Sequence, residues 1–114
     1  MLKKKLGILL STPPEHPNLQ TVLSLVKEAL RQQVAIYLYL VDEGVKNINL
    51  PEIAALPAAG AKLFVCAYGA QRRNIAIHGE AVSCGLVVLS DLVKGCDRFI
   101  AFHESADLYR GRSG

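Results

Sequence analysis

The residues of this chain that could carry chemistry are few, and a cysteine leads them. The stretch "FVCAYGAQRR" (64–73) sets Cys66 where a run of strand formers gives way to small residues and a basic pair. A cysteine that ends a strand and starts a helical turn lies beside unpaired backbone N–H groups. Such groups, with the helix dipole, favour a thiolate and can lower a thiol from about pKa 8.5 to neutrality or below. Ala67, Gly69 and Ala70 leave room for a partner to approach the sulfur. Arg72 and Arg73, about two turns on, are placed to add positive potential. The opposing reading is inert packing, because cysteine is among the most buried residues and behaves as a small hydrophobe.

The other candidates carry weaker signals. Cys84 adjoins Gly85 at the predicted start of a strand and Cys96 ends a predicted short helix, so both read as packing residues. The three cysteine spacings match no zinc pattern, and His16, His78 and His103 lie far apart in sequence. A Cys66–His78 dyad rests on sequence nearness alone. Asp42 and Glu43 could bind a cation or act as a base, but acids after a strand more often cap a helix start. Gly69 stands alone in its turn, so no phosphate-cradling loop is present. Neither a metal nor a cofactor is expected.

Composition narrows the function classes. With 114 residues, 51% hydrophobic and 20% charged, the chain reads as a single ordered domain over residues 1–114. A net charge of +3 is mild, and its only basic run, Lys3 to Lys5, precedes the first strand. Direct nucleic-acid binding, which needs a concentrated basic stripe, is not expected. Three cysteines cannot all pair internally, and no signal peptide precedes them, so reduced thiols in a cytoplasm are expected. The apolar run within "MLKKKLGILLST" is too short for a signal h-region or a membrane span. A slightly positive mean hydropathy points to apolar surface covered by copies of the same chain.

The elements that must position Cys66 follow from periodicity. "LGILLS" (6–11) is an unalternating apolar run, which suits a strand covered on both faces. Three prolines then enforce an extended loop. Leu19, Val22, Leu23, Val26 and Leu30 form one helical stripe, with Asn18 as expected N-cap. "VAIYLYLV" (34–41) reads as the second strand, with Tyr37 and Tyr39 as core or subunit-contact residues. A weaker helix is predicted over 50–60, interrupted at Pro57 and stopped by Gly60. "AKLFVCA" (61–67) is the third strand. "GLVVLS" (85–90) is predicted as a fourth strand, with Ser90 capping a short helix over 91–96, and "DRFIAF" (97–102) as the fifth. The segment from Glu104 onward is predicted to be a frayed tail.

Strands alternating with helices on short connections predict an α/β fold: three layers, α/β/α, around a mostly parallel sheet of about five strands. In such sheets reactive groups gather at the carboxyl ends of strands. That rule selects "STPPEHP", "DEGVKN" and "CAYGAQ". Strand order stays open.

Four segments in order resemble the DsrE/DsrF-like proteins, which include the TusD-type sulfur carriers. "KKLGILLSTPP" with the amphipathic helix is similar to the family's opening, and "YLYLVDEGVKNI" to its second strand and acidic-Gly-Val turn. "LPAAGAKLFVCAYGAQRRNI" resembles the segment in which an active cysteine closes the third strand. "GLVVLSDLVKGCDRFIAF" looks like the closing part. The resemblance implies assembly as trimers or hexamers and sulfur handling in the cytoplasm. Cys66 would hold a persulfide on its way from a donor protein to an acceptor protein. Some members of the family lack the cysteine and serve as structural subunits.

Overall fold

The computed structural model describes residues 3–104. Five strands form one parallel sheet in the order β4-β3-β2-β1-β5. The strands are β1 (Lys5–Leu10), β2 (Ala35–Leu40), β3 (Lys62–Cys66), β4 (Val82–Cys84) and β5 (Arg98–Phe102). The helices are α1 (Asn18–Arg31), α2 (Pro51–Ala54), α3 (Ala67–Arg72) and α4 (Leu86–Gly95), with a 3-10 segment over Asp42–Asn47. Stepping from β1 to β4 in one direction by right-handed crossovers puts α1, α2 and α3 on one face of the sheet. The return from β4 to β5 carries α4 to the other face. The predicted three-layer α/β/α architecture is therefore the observed one, with a sheet that is parallel throughout.

Side-chain alternation shows how unequally the two faces are covered. Ile8, Leu10, Ile36, Leu38, Leu40, Leu63 and Val65 point to the α1 face, and all are buried. On the α4 face, Leu9 and Tyr39 are buried, while Tyr37, Phe64 and Phe99 are only partly covered and Val82 is exposed. One ten-residue helix cannot cover five strands. It packs against β1 and β5, its end at Cys96 lying against Gly7, and leaves the surface around Tyr37, Phe64 and Val82 open.

The predicted fourth strand is corrected. Gly85 is the N-cap of α4, residues 86–90 form its first half, and Ser90 lies inside that helix instead of capping it. A short continuous apolar run does not distinguish a buried strand from a buried helix. Helix wins because "DLVKG" extends the run to ten residues, placing Leu92 inward and partly covering Val88 and Leu89. The strand role passes to "VSC", which pairs only with β3 at the sheet edge.

Two smaller expectations also change. Pro17 is the N-cap of α1, and the Asn18 N–H is satisfied by His16 Nδ1 at 3.0 Å. Asn18 Nδ2 instead donates to the His103 carbonyl at 3.0 Å, tying α1 to the end of β5. The helix predicted over 50–60 is regular only in α2, beyond which turns run to Gly60 at φ +106. Beyond Glu104 the predicted tail lies outside the described residues.

The 3-10 segment is locked beneath the sheet's carboxyl edge. Asn47 is fully buried, and its Nδ2 donates to the carbonyls of Thr12 and Gly44, each at 2.9 Å. Asn47→Ala removes both donors and strands two carbonyls in the interior. The expected loss is about 2 kcal/mol, since a buried acceptor without a partner keeps its full desolvation cost. A shift of the urea midpoint at unchanged slope checks it.

Candidate functional site

Cys66 is the last residue of β3 and the N-cap of α3. Its Sγ accepts the Gly69 N–H at 3.4 Å, filling the capping role usually taken by a serine or aspartate oxygen. The expected place at a strand end and helix start is the observed one. Its accessibility differs from expectation. Cys66 is 7% exposed, because its side chain turns onto the face that α4 covers. The small residues after it serve close packing: a Cβ on Gly69 would stand 3.3 Å from Val45 Cγ1.

The basic pair does not face the sulfur as free charge. Arg73 Nε donates to Glu43 Oε2 at 2.9 Å, and its Nη1 donates to the Gly69 carbonyl at 3.2 Å. The guanidinium thus clamps the end of α3 to the 3-10 segment and spends its charge on Glu43. Arg72 lies 5.7 Å above the Tyr68 ring as a cation–π pair. Lys46 first, then Arg73, hold the Glu43 carboxyl below the usual range. The acidic loop is accordingly structural in its contacts, with Asp42 in the left-handed region at φ 50.

The histidines do not converge on Cys66. His16 caps the start of α1, His103 Nδ1 lies 2.9 Å from Ser11 Oγ, and His78 is exposed. No hydrogen bond joins His78 to Cys66 among the described residues. No group of three or more His, Cys, Asp or Glu side chains there is placed to hold a metal ion.

A neighbour overlooked in the sequence is Cys84. It ends β4 in direct register with Cys66, where the sequence had put it at a strand's beginning. Its Sγ lies 3.9 Å from the Val65 carbonyl oxygen. Burial pushes the Cys84 thiol up, against the opposing pull of the Tyr39 hydroxyl. Tyr39, fully buried, donates from its hydroxyl to the Gly85 carbonyl at 2.8 Å and so pins the entry of α4 over the cysteines. Locating "VSC" as the strand would have revealed the pairing, but three residues carry too little periodic signal. Cys96 lies elsewhere, at the end of α4, and burial raises its thiol too.

The surface around the two strand ends is apolar. Tyr68, two residues after Cys66, is 67% exposed, and Leu86, two residues after Cys84, is 62% exposed. Val87 beside it is 76% exposed. All three residues follow the carboxyl ends of β3 and β4 in the chain.

A parallel α/β sheet with a capping cysteine at the end of an inner strand defines the structural class. Within that class the chain belongs to the DsrE/DsrF-like family, whose profile matches residues 4–102. The fold is shared with the ychN protein from E. coli, at TM-score 0.72 and 19% identity, covering 89% of this chain and 100% of that one. It is shared also with MTH1491, a protein of unknown function from Methanobacterium thermoautotrophicum, at TM-score 0.69 and 12% identity. That match covers 86% of this chain and 99% of the other. A search among curated proteins finds no match. Among the described residues no helix is long and apolar enough to cross a membrane.

Proposed function

We propose that the protein is a cytoplasmic sulfur carrier holding a persulfide on Cys66 between a donor protein and an acceptor protein. The observation that carries this reading is the sulfur's position as N-cap, with the Gly69 N–H directed at it. A backbone donor aimed at the sulfur fixes its direction at the end of β3, where sulfur exchange needs a thiolate that attacks and later leaves. The Cys66 thiolate attacks the outer sulfur of a donor persulfide, forming Cys66–S–SH and releasing the donor thiolate. An acceptor thiolate then attacks that outer sulfur and frees Cys66. Neither step asks for a metal or a cofactor. Family membership supports the reading, as does the apolar rim of Tyr68, Leu86 and Val87, which suits a protein partner better than a small molecule.

The 7% exposure of Cys66 favours a second reading, a non-catalytic subunit in which this cysteine only packs. The two readings separate in one experiment. Reduced protein incubated with a cysteine desulfurase and cysteine gains one sulfur by intact mass under the first reading and none under the second.

Self-association, as a trimer or hexamer, belongs to both readings. Its support is the open half of the α4 face, where Tyr37 and Phe64 stack at 6.5 Å between ring centres and line a shallow hollow with Val82. The outward stripe of Leu86, Val87 and Val93 on α4 adds to it. Val87→Glu puts a charge on the most exposed of these residues without touching the core. The expected result is a fall in mass by light scattering with an unchanged circular dichroism spectrum. A wild-type protein already monomeric at micromolar concentration would count against self-association.

A further inference from the structure

The register of β3 with β4 sets Cys66 directly opposite Cys84. Register partners on adjacent parallel strands send their side chains to the same face, with backbones about 4.8 Å apart. That separation falls within the roughly 4.4–6.8 Å between Cα atoms that a disulfide spans. Cys84 Sγ leans toward β3, lying against the carbonyl of the peptide that joins Val65 to Cys66. Both thiols are free. Cys96 is no competitor: its Sγ lies near Gly7 on β1, two strands away from β3 in the sheet.

The two cysteines are not equivalent. Cys66 caps a helix and accepts a backbone N–H, whereas Cys84 is a donor to a carbonyl and its thiol is pushed up. Cys66 is the sulfur fixed at a helix start, and Cys84 is its register partner on the edge strand. β4 is three residues long and pairs on one side only, so it is the strand best able to shift as a bond closes.

We propose that Cys84 is the resolving thiol for Cys66, closing a Cys66–Cys84 disulfide once Cys66 has taken up an oxidising sulfur. With a low-molecular-weight disulfide RSSR, the Cys66 thiolate forms Cys66–S–S–R and expels RS⁻. Cys84 then gives its proton to solvent, attacks the Cys66 sulfur and expels the second RS⁻. Two cysteine thiols are oxidised and one disulfide is reduced to two thiols. The persulfide branch rests on the carrier reading. There Cys84 attacks the inner sulfur of Cys66–S–SH, the disulfide forms and HS⁻ leaves, its sulfur reduced by the two electrons the cysteines lose. Attack by an acceptor at the outer sulfur is transfer; attack by Cys84 at the inner sulfur is discharge. The pair therefore sets how long a loaded sulfur waits for its acceptor.

The test treats the full chain with oxidised glutathione, then alkylates and measures intact mass and disulfide-linked peptides. The expected product loses two hydrogens, keeps one alkylatable thiol and joins the Cys66 peptide to the Cys84 peptide. Cys84→Ser, and Cys84→Ala as a second variant, should stop at a glutathione adduct on Cys66, while Cys96→Ser behaves as wild type. A wild-type protein that stops at that adduct, or that links Cys66 between two chains, overturns the proposal. In a second arm, inorganic polysulfide loads the protein, and Cys84→Ser should hold the added sulfur about tenfold longer than wild type. Equal retention overturns the persulfide branch. Disulfide closure in the wild type with no sulfur loading even on Cys84→Ser sinks the carrier reading and leaves the pair standing. Stable loading with no disulfide does the reverse.

Discussion

Cys66→Ser is expected to abolish sulfur uptake from a cysteine desulfurase and cysteine, reducing the mass gain to that of a control without desulfurase. Serine keeps the size and the capping oxygen, so α3 retains its N-cap and the fold is undisturbed. What disappears is the polarisable nucleophile, because a hydroxyl at neutral pH does not attack a persulfide. Cys84→Ser and Cys96→Ser should both still load, since neither sulfur caps a helix. Early time points are needed in the wild type, where Cys84 is expected to shorten the life of the loaded form. Cys84→Ser protein that takes up no sulfur, under conditions that load a known carrier, would sink the relay. Cys66 would then be a packing residue in an oligomeric subunit.

Gly44→Ala is the second large effect and acts on the fold beneath the site. A Cβ at Gly44 would overlap the Leu10 carbonyl oxygen and stand 2.8 Å from its carbon. Both are backbone atoms of a central strand, so no side chain can swing aside to relieve the clash. The 3-10 segment must lift away from β1. Lifting strains the Gly44 N–H bond to Val41 and the Asn47 bonds to Thr12 and Gly44. Overpacking that a core absorbs costs about 1–3 kcal/mol, and a backbone clash of this kind should lie at or above the upper end. Denaturant unfolding measures it, and a loss below about 1 kcal/mol, the level of an ordinary substitution, would show that the close approach is not required. The consequence reaches Cys66, because Glu43 on the same segment holds Arg73, which holds the Gly69 carbonyl. A folded Gly44→Ala protein should therefore also load sulfur more slowly.

How well the chain could be read depended on element length. β1, α1, β2 and β3 were legible because a long apolar stripe or a run of β-branched and aromatic residues allows one reading. The region from Val82 to Gly95 was not, since three strand residues precede a helix whose opening looks like a strand. That single misreading hid the partner of Cys66. The site shows the same division. Cys66 at a strand end was readable from "FVCAYGA", while the fate of Arg73 depended on Glu43, thirty residues earlier in the chain.

Local sequence alone determined that a cysteine would close a strand and open a helix, because strand propensity and small-residue turns act over a few residues. Only the tertiary structure decided that this sulfur is nearly covered, that a second thiol stands opposite it, and that the arginine behind it is already paired. Those three outcomes come from strand order and crossover direction, which bring distant segments together. Their energies depend on contacts that no window of the sequence contains.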